Sequence, residues 1–144
     1  MEVKILRLKQ SAILPVYGTE HAAAMDICAA IDEPVILGPL ERMVVPSGFA
    51  VALPEGTEMQ IRARSGLSLK HGIAMANGVG TIDADYRGEV GVILINLSHE
   101  PFTIEPGMRI AQAVVARYEK ILWQEVDALD ETARGKGGYG STGY

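Results

Sequence analysis

Short runs of β-branched and other apolar residues, separated by glycine and proline, recur along this chain of 144 residues. Turn signals such as Pro46-Ser47-Gly48 and Pro106-Gly107 lie between them. Many short strands at this spacing favour an all-β fold of the sandwich, jelly-roll or barrel type. One short helical turn is predicted at residues 66–71. The predicted strands cover residues 3–9, 25–30, 35–37, 42–45, 49–53, 58–63, 73–75, 91–97, 102–104, 108–115 and 121–126.

Composition limits the partners and the compartment. The formal net charge of -5 gives no broad positive field that would hold a nucleic-acid backbone. No apolar run reaches membrane-spanning length, and residues 1–10 alternate apolar and basic side chains like a strand rather than a signal peptide. The single cysteine, Cys28, suits a reducing cytoplasm and is expected to be buried rather than nucleophilic. We therefore expect one cytoplasmic domain whose anionic ligands are small, with neither nucleic acid nor membrane as partner.

Two predicted strands are apolar on both faces. Residues 91–97 read GVILINL and residues 109–116 read RIAQAVVA, so neither alternates cleanly between core and water. A strand buried on both sides needs a second layer, which in a small all-β protein is often another subunit. We therefore expect an oligomer, and the central strand of a single sandwich is the alternative.

The stretch GTIDADYRGE, which begins at Gly80, concentrates polar chemistry. In an extended strand Asp83, Asp85 and Arg87 would share one face, with the two carboxylates side by side. Paired carboxylates can hold a hydrated cation or take a proton from water. Gly80 and Gly88 bracket the stretch where the backbone turns or another group approaches closely. A hairpin with a solvated, charged face is the alternative.

Other polar groups stand at predicted turns or inside apolar strands. Asp26 is alone in an apolar strand, where an unpaired carboxylate is costly unless it meets a ligand, a metal or a donor. The turn Arg64-Ser65-Gly66 offers a guanidinium, a hydroxyl and backbone amides, which suit phosphate oxygens. Arg109 and Gln112 need partners if their strand is buried. Ordinary turns and strand ends are the alternatives, and the three histidines share no metal-ligand spacing.

Residues 133–144, ARGKGGYGSTGY, are rich in glycine and cannot fold by themselves. A disordered tail is the common meaning of such a terminus. Its basic side chains, hydroxyls and backbone amides are nevertheless the donors that wrap a phosphate chain, and Tyr139 offers a flat face for a base. It is not a Walker A loop, because Gly137 follows Lys136 where a hydroxyl residue is needed.

In their order along the chain, these clusters resemble the five motifs of the homotrimeric deoxyuridine triphosphatases. The resemblance implies a jelly-roll or β-clip trimer with three active sites between subunits. It also implies a β domain over residues 1–130 and an arm over residues 131–144 that closes over a neighbouring subunit's site. The matching segments are AAMDICA around Asp26, RSGLSLKHGI from Arg64, NGVGTIDADYRGE from Asn77, GMRIAQ from Gly107 and RGKGGYGSTG from Arg134.

The resemblance implies hydrolysis of dUTP to dUMP and pyrophosphate with Mg²⁺, by water attack on the α-phosphorus. This reaction keeps uracil out of DNA and supplies dUMP for thymidylate synthesis. Asp83 would orient and deprotonate the water, Ser65 would lie near the bond that breaks, and Gln112 near the phosphates. Asp26 would help to place a hydrated metal held mainly by triphosphate oxygens. Arg109 is expected to tie subunits together.

The substrate-binding residues implied by the resemblance fall in three groups. The turn at Arg64 would contact phosphates, and the hairpin from Asn77 would read the pairing edge of uracil and exclude thymine's methyl group. Tyr86 would pack against deoxyribose, where a ribose 2′-hydroxyl would clash. The arm would close on the γ-phosphate and stack Tyr139 over uracil. The full set is Arg64, Ser65, Gly66, Asn77, Gly80, Thr81, Ile82, Asp83, Tyr86, Arg134, Gly138, Tyr139, Gly140, Ser141 and Thr142.

Two other functions stay open. A dCTP deaminase shares the fold but typically has glutamate in place of Asp83 and lacks the glycine-rich fifth motif. A nucleotide-binding regulator could use the same scaffold to bind a partner.

The departures from the family's usual pattern remove no group that does chemistry: they are Ala24 and Met25 for glycine and an aromatic, Ala63 for proline, Met108 for aspartate and Tyr139 for phenylalanine.

Overall fold

The computed structural model describes residues 1–138, and within them eleven strands and one short helix form. This confirms the all-β prediction. The elements are β1 (Lys4–Arg7), β2 (Val16–Tyr17), β3 (Met25–Cys28), β4 (Val35–Leu37), β5 (Arg42–Ala52), β6 (Thr57–Ala63), α1 (Ser65–His71), β7 (Ile73–Met75), β8 (Gly80–Ile82), β9 (Glu89–Asn96), β10 (Phe102–Ile104) and β11 (Arg109–Arg117).

Two larger antiparallel sheets supply the core. One has the strand order β1-β5-β9-β7 and the other β2-β3-β11-β6-β8, while β4 and β10 form a third, two-stranded sheet. Alternate side chains of both larger sheets meet in one buried cluster, as the period-2 geometry of a strand requires. In β9, for example, Val90, Val92 and Leu94 are buried while the residues between them are only half-buried.

The outer faces of β9 and β11 bear on the predicted oligomer. Both strands are central in their sheets. Ile93 and Ile95 on β9 and Val114 on β11 are nevertheless only half-buried, because their side chains point away from the core. A single chain therefore leaves apolar surface on both sheets that a second layer could cover.

The predicted helix is confirmed as α1. It ends at His71 and is capped by Gly72, which adopts a left-handed conformation (φ 66°) and donates its amide to the Ser68 carbonyl at 3.1 Å. Among the described residues, no helix is long and apolar enough to cross a membrane.

The prediction of separate strands at residues 42–45 and 49–53 is wrong. The structure forms one strand, β5, which carries the Pro46-Ser47-Gly48 signal as a bulge where the register with β9 shifts. Gly48 has a φ of 74°, and a Cβ on it would stand 2.8 Å from the Cβ of Ala30. Gly48, which looks like a turn signal in the sequence, is therefore needed for the bulge in β5 and for the close packing of β5 against Ala30.

The prediction of a strand at residues 121–126 is also wrong. β11 ends at Arg117, and the described chain beyond it forms no strand. Leu122 and Trp123 in this segment are 98% and 90% exposed. An extended segment becomes a strand only when a neighbour pairs with its backbone, and the described chain provides none here. Two-residue β2, in contrast, was not predicted.

The prediction of one extended strand from Gly80 is wrong. The structure forms a short strand followed by a turn. β8 ends at Ile82, and the Tyr86 amide donates to the Asp83 carbonyl at 3.2 Å. The two aspartates therefore do not share a strand face. The predicted hairpin from Asn77 is a crossing between sheets, because β7 pairs with β9 whereas β8 pairs with β6. The exposed, charged turn agrees with the alternative of a solvated face.

Candidate active site

The first part of the site surrounds the Asp26 carboxylate on adjacent strands of the five-stranded sheet. Gln112 of β11 stands opposite Asp26 of β3, and Arg64 directly follows β6. Arg64 Nε donates to Oδ1 of Asp26 at 3.1 Å and Arg109 Nη1 to Oδ2 at 3.2 Å, while Gln112 Nε2 lies 3.4 Å from Oδ1. We name these four residues the Asp26 cluster. The lone carboxylate of the sequence thus has three side-chain partners.

Charge and geometry suit the Asp26 cluster to an anion. Two guanidiniums share one carboxylate, so the formal charge of the cluster is +1. Arg64 also donates to the Arg109 carbonyl at 3.2 Å, which fixes its plane further. Each guanidinium has five N–H donors in a rigid fork, and those not used here remain available to phosphate oxygens. The Arg109–Asp26 pair lies within one chain and was missed in the sequence, where the two residues are far apart.

Ser65 and Gly66 begin α1 beside this cluster. Both residues are exposed, and a Cβ on Gly66 would meet nothing within 4 Å. The helix has no acidic residue in its first turn and no side-chain cap. Its first amides lack intrahelical acceptors, as in any helix, so hydroxyl and amide donors lie next to the two guanidiniums.

The second part of the site is the outer edge of β8. In the part of the chain that the structure describes, β8 pairs only with β6, so the other backbone edge is free to pair. Gly80 is buried, and a Cβ on it would stand 3.3 Å from Nδ2 of Asn77. The Asn77 amide and the β8 backbone therefore form neighbouring polar groups that can pair with the edge of a flat base.

Asp83 and Tyr86 lie in the turn of residues 83–88, which we name the β8–β9 turn. The Asp83 side chain is exposed and makes no ion pair within residues 1–138. The Tyr86 hydroxyl donates to the Glu89 carbonyl at 3.0 Å. A cavity of about 300 Å³ is lined by Val44, Thr81, Ile82, Asp83, Tyr86, Glu89, Gly91 and Ile93. Candidate base-, sugar- and water-contacting residues thus border one space.

The two parts of the site lie at opposite ends of β6. Ile82, next to Asp83, is in register with Met59 near the start of β6, whereas Ser65 follows its last residue, Ala63. The five residue steps from Met59 to Arg64 span about 17 Å. Asp83 and Ser65 of one chain are therefore held apart by most of the length of β6.

A magnesium ion would find a limited set of protein ligands. No group of three His, Cys, Asp or Glu side chains that could hold a metal occurs among residues 1–138. The Asp26 oxygens are suitable hard donors, but both already accept from arginine. Mg²⁺ commonly keeps several waters and takes substrate phosphates as ligands. The donor set fits an ion of that kind, with Asp26 bonding to its water.

The arm is described only in part. Arg134 and Gly138 are exposed, and Arg134 Nε donates to the Gly137 carbonyl at 3.0 Å. The predicted contacts of Tyr139, Gly140, Ser141 and Thr142 lie outside the described residues.

Cys28, next to the Asp26 cluster, is buried as predicted. Burial raises the pKa of its thiol, and the negative charge of Asp26 adds to the rise, so the nucleophilic thiolate is disfavoured.

Known proteins are similar to the chain over nearly its whole length. The dUTPase family model matches residues 10–143. The chain is 57% identical over 143 residues to the deoxyuridine 5′-triphosphate nucleotidohydrolases of Rickettsia felis and Rickettsia conorii, covering 99% of this chain and 97% of each relative. A solved structure of the Staphylococcus bacteriophage 80alpha dUTPase with dUPNHPP superposes with a TM-score of 0.90 at 27% identity, over 99% of both chains.

Proposed function

The chain belongs to the dUTPase family and is a dUTP diphosphatase, and we propose that its active site is completed only between copies in a homotrimer. The observation that carries this proposal is the separation of Asp83 and Ser65 by the length of β6. Both residues have to act near the α-phosphorus if the family's chemistry applies. A neighbouring copy supplies the missing half, and the half-buried outer faces of β9 and β11 offer surface for such contacts.

In the proposed mechanism, Asp83 takes a proton from the water that attacks the α-phosphorus. Its side chain is exposed and makes no ion pair in the described chain, so its oxygens are available to bond to a water. A positioned base of this kind contributes about 10²- to 10⁴-fold in rate. Arg64, Ser65 and Gly66 of another copy hold the phosphates, with Ser65 beside the bond that breaks and Gln112 nearby.

Asp26 has two tasks in this proposal. It fixes the planes of Arg64 and Arg109, and it bonds to water on a Mg²⁺ that triphosphate oxygens mainly hold. When bound, Mg²⁺ supplies charge neutralisation at the phosphate oxygens.

We place the reaction in the cytoplasm, where a buried, reduced Cys28 is stable.

Selectivity is proposed to arise at the free edge of β8. Uracil presents an acceptor, a donor and an acceptor, which the backbone at Gly80, Thr81 and Ile82 and the Asn77 amide can meet. Cytosine would place an amino donor against a donor, and an unpaired buried donor is costly. Tyr86 would cover the deoxyribose and exclude a 2′-hydroxyl. The cavity beside it is compact, at about 300 Å³.

The substrate assay separates this function from the two alternatives. Pyrophosphate release with Mg²⁺ is measured from dUTP, dTTP, dCTP and UTP, and ammonia is followed in the dCTP sample. We expect rapid release from dUTP alone. Ammonia from dCTP would mean deamination, and no reaction with any of the four would support a binding regulator.

A mixing experiment tests the shared site. Asp83→Asn and Ser65→Ala chains are each expected to be inactive alone. Co-expressed in equal amounts, they should regain up to about a quarter of wild-type activity, because a random trimer forms intact pairings at that frequency. No recovery in verified mixed trimers would show that the site lies within one chain.

The arm, residues 131–144, is proposed to close over a site between neighbouring copies. Arg134, Ser141 and Thr142 would contact the γ-phosphate, Tyr139 would stack on uracil, and Gly138 and Gly140 would allow close backbone approach. Deleting residues 133–144 should leave a folded oligomer with little activity, because β11 ends at Arg117. Unfolding of this truncated chain, measured by circular dichroism, would give the arm a structural role instead.

A further inference from the structure

Gly88 lies against the hydroxyl end of the Tyr86 ring. A Cβ built on Gly88 would stand 2.6 Å from Cζ of Tyr86 and 3.1 Å from Cε2, with the hydroxyl oxygen closer still. Real Cβ atoms are essentially never found so near. Any side chain at position 88 would therefore displace the ring.

The backbone of Gly88 does not itself demand glycine. Among the described residues, the glycines with positive φ are Gly48, Gly56, Gly72, Gly78, Gly107 and Gly135, and Gly88 has an ordinary φ. An alanine could adopt the same backbone without strain. The space at the hydroxyl end of the Tyr86 ring is thus the feature that requires glycine here.

Hydrogen bonds also fix the Tyr86 ring and the turn that carries it. Its hydroxyl donates to the Glu89 carbonyl at 3.0 Å, and Arg87 Nη1 donates to the carbonyls of Ala84 and Tyr86 at 2.7 and 2.8 Å. Glu89 Oε1 accepts from the Gly48 amide at 2.7 Å, which ties the turn to β5. Tyr86 remains 44% exposed and lines the same cavity as Asp83. The ring position is therefore determined by the turn and not by the ligand alone.

We propose that Gly88 is a specificity-determining position, which sets the discrimination between deoxyribose and ribose by letting the Tyr86 ring lie against the backbone. This inference rests on the proposed role of Tyr86 over the sugar. A methyl group at position 88 would move the ring by about 1 Å to restore ordinary contact. A ring pushed into the cavity would hinder dUTP, and a ring swung away would admit UTP. The second movement lowers the ratio of kcat/KM for dUTP to that for UTP, whereas the first would slow both substrates without lowering that ratio.

The test compares Gly88→Ala with Gly18→Ala in the full-length protein. Gly18 is exposed, has no positive φ, and a Cβ on it would meet nothing within 4 Å, so it is a matched control. We expect the dUTP to UTP ratio to fall at least about tenfold in Gly88→Ala, because differences of one methyl group change discrimination by roughly 10- to 200-fold. Gly18→Ala should keep the wild-type ratio.

A double-mutant cycle isolates the ring. In a Tyr86→Ala background no ring remains to be displaced, so Gly88→Ala should cause no further fall in the ratio. An equal tenfold loss in both backgrounds would mean that the methyl group acts on the turn itself, and it would overturn the inference. An unchanged ratio in Gly88→Ala alone would also overturn it.

Nuclear magnetic resonance tests the packing without substrate. The Gly88 α-protons should show a ring-current shift that disappears in Tyr86→Ala, and absence of that shift would overturn the inference even in an active enzyme. If Tyr86→Ala keeps wild-type discrimination while the ring-current shift is present, the sugar-contacting role of Tyr86 fails, and with it the specificity role of Gly88. Failure of the wild type to hydrolyse dUTP would instead refute the activity itself.

Discussion

The Asp26 cluster and the β8–β9 turn both carry an aspartate, but they hold it in opposite ways. Asp26 is 13% exposed and accepts from two guanidiniums. Asp83 is exposed and has no ion pair in the described chain. The oxygens of the first carboxylate are occupied by guanidiniums, whereas those of the second have no charged partner in the described chain. Identical side chains can thus serve different chemistry because their neighbours differ.

The largest expected effect is at Asp83. Asp83→Asn should lower kcat at least about a hundredfold with near-normal dUTP affinity, because the amide keeps the shape but cannot accept the proton. Its free energy of unfolding should not change, since the side chain is exposed. Steady-state kinetics and calorimetric titration with a non-hydrolysable analogue measure the two quantities. Asp85→Asn, in the same turn, is the control and should stay near wild type, while weak binding with normal turnover in Asp83→Asn would contradict the assigned role.

An intermediate effect is expected at Asp26. Asp26→Asn leaves Arg64 and Arg109 without a charged acceptor, so the free energy of unfolding should fall by about 1–3 kcal/mol. The KM for dUTP should rise as the guanidiniums lose their fixed planes. Urea denaturation and steady-state kinetics check both. Asp32→Asn is the matched control, because Asp32 pairs with Lys9 at 2.7 Å but is 79% exposed, and such surface pairs contribute about 0–1 kcal/mol. Equal losses in the two variants would remove the contrast between a committed and a surface carboxylate.

The smallest expected effect is at Cys28, beside the Asp26 cluster. Its pKa is raised in the folded state by burial and by Asp26, so folding is favoured while the thiol stays protonated. This contribution is fully present below the thiol's ordinary pKa and is lost as the pH rises through the folded-state pKa. Wild-type stability should therefore decline more steeply in the alkaline range than that of Cys28→Ala. Parallel pH profiles from urea denaturation would refute this, and activity at neutral pH should be unchanged.

Local patterns predicted much of the fold. The bounds of Val35–Leu37, Ile73–Met75 and Phe102–Ile104 agree with the strands observed, because each apolar run is short and begins directly after a proline or a glycine. The pattern failed where a partner decides the outcome. Pro46-Ser47-Gly48 looks like a turn but is carried as a bulge between neighbouring β1 and β9, and residues 121–126 look like a strand but have no neighbour in the described chain.

The candidate site was predictable in its parts and not in its assembly. Residue types and motif order pointed to Asp26, Arg64, Asp83 and Gln112 as chemical groups. The pairing of Arg109 with Asp26 joins residues from two strands, and no sequence spacing encodes it. The requirement for Gly88 depends on the Tyr86 ring, which packs back against the same turn.

The sequence by itself determined the alternation of buried and exposed side chains, the positions of most strands and the kinds of groups that handle a phosphorylated ligand, because these depend on residues close together in the chain. Tertiary structure alone decided which carboxylate is paired and which is free, and that Asp83 and Ser65 stand at opposite ends of β6. The physical reason is that strand register and side-chain partners are fixed by contacts between distant segments, whose combined packing selects one pairing among many.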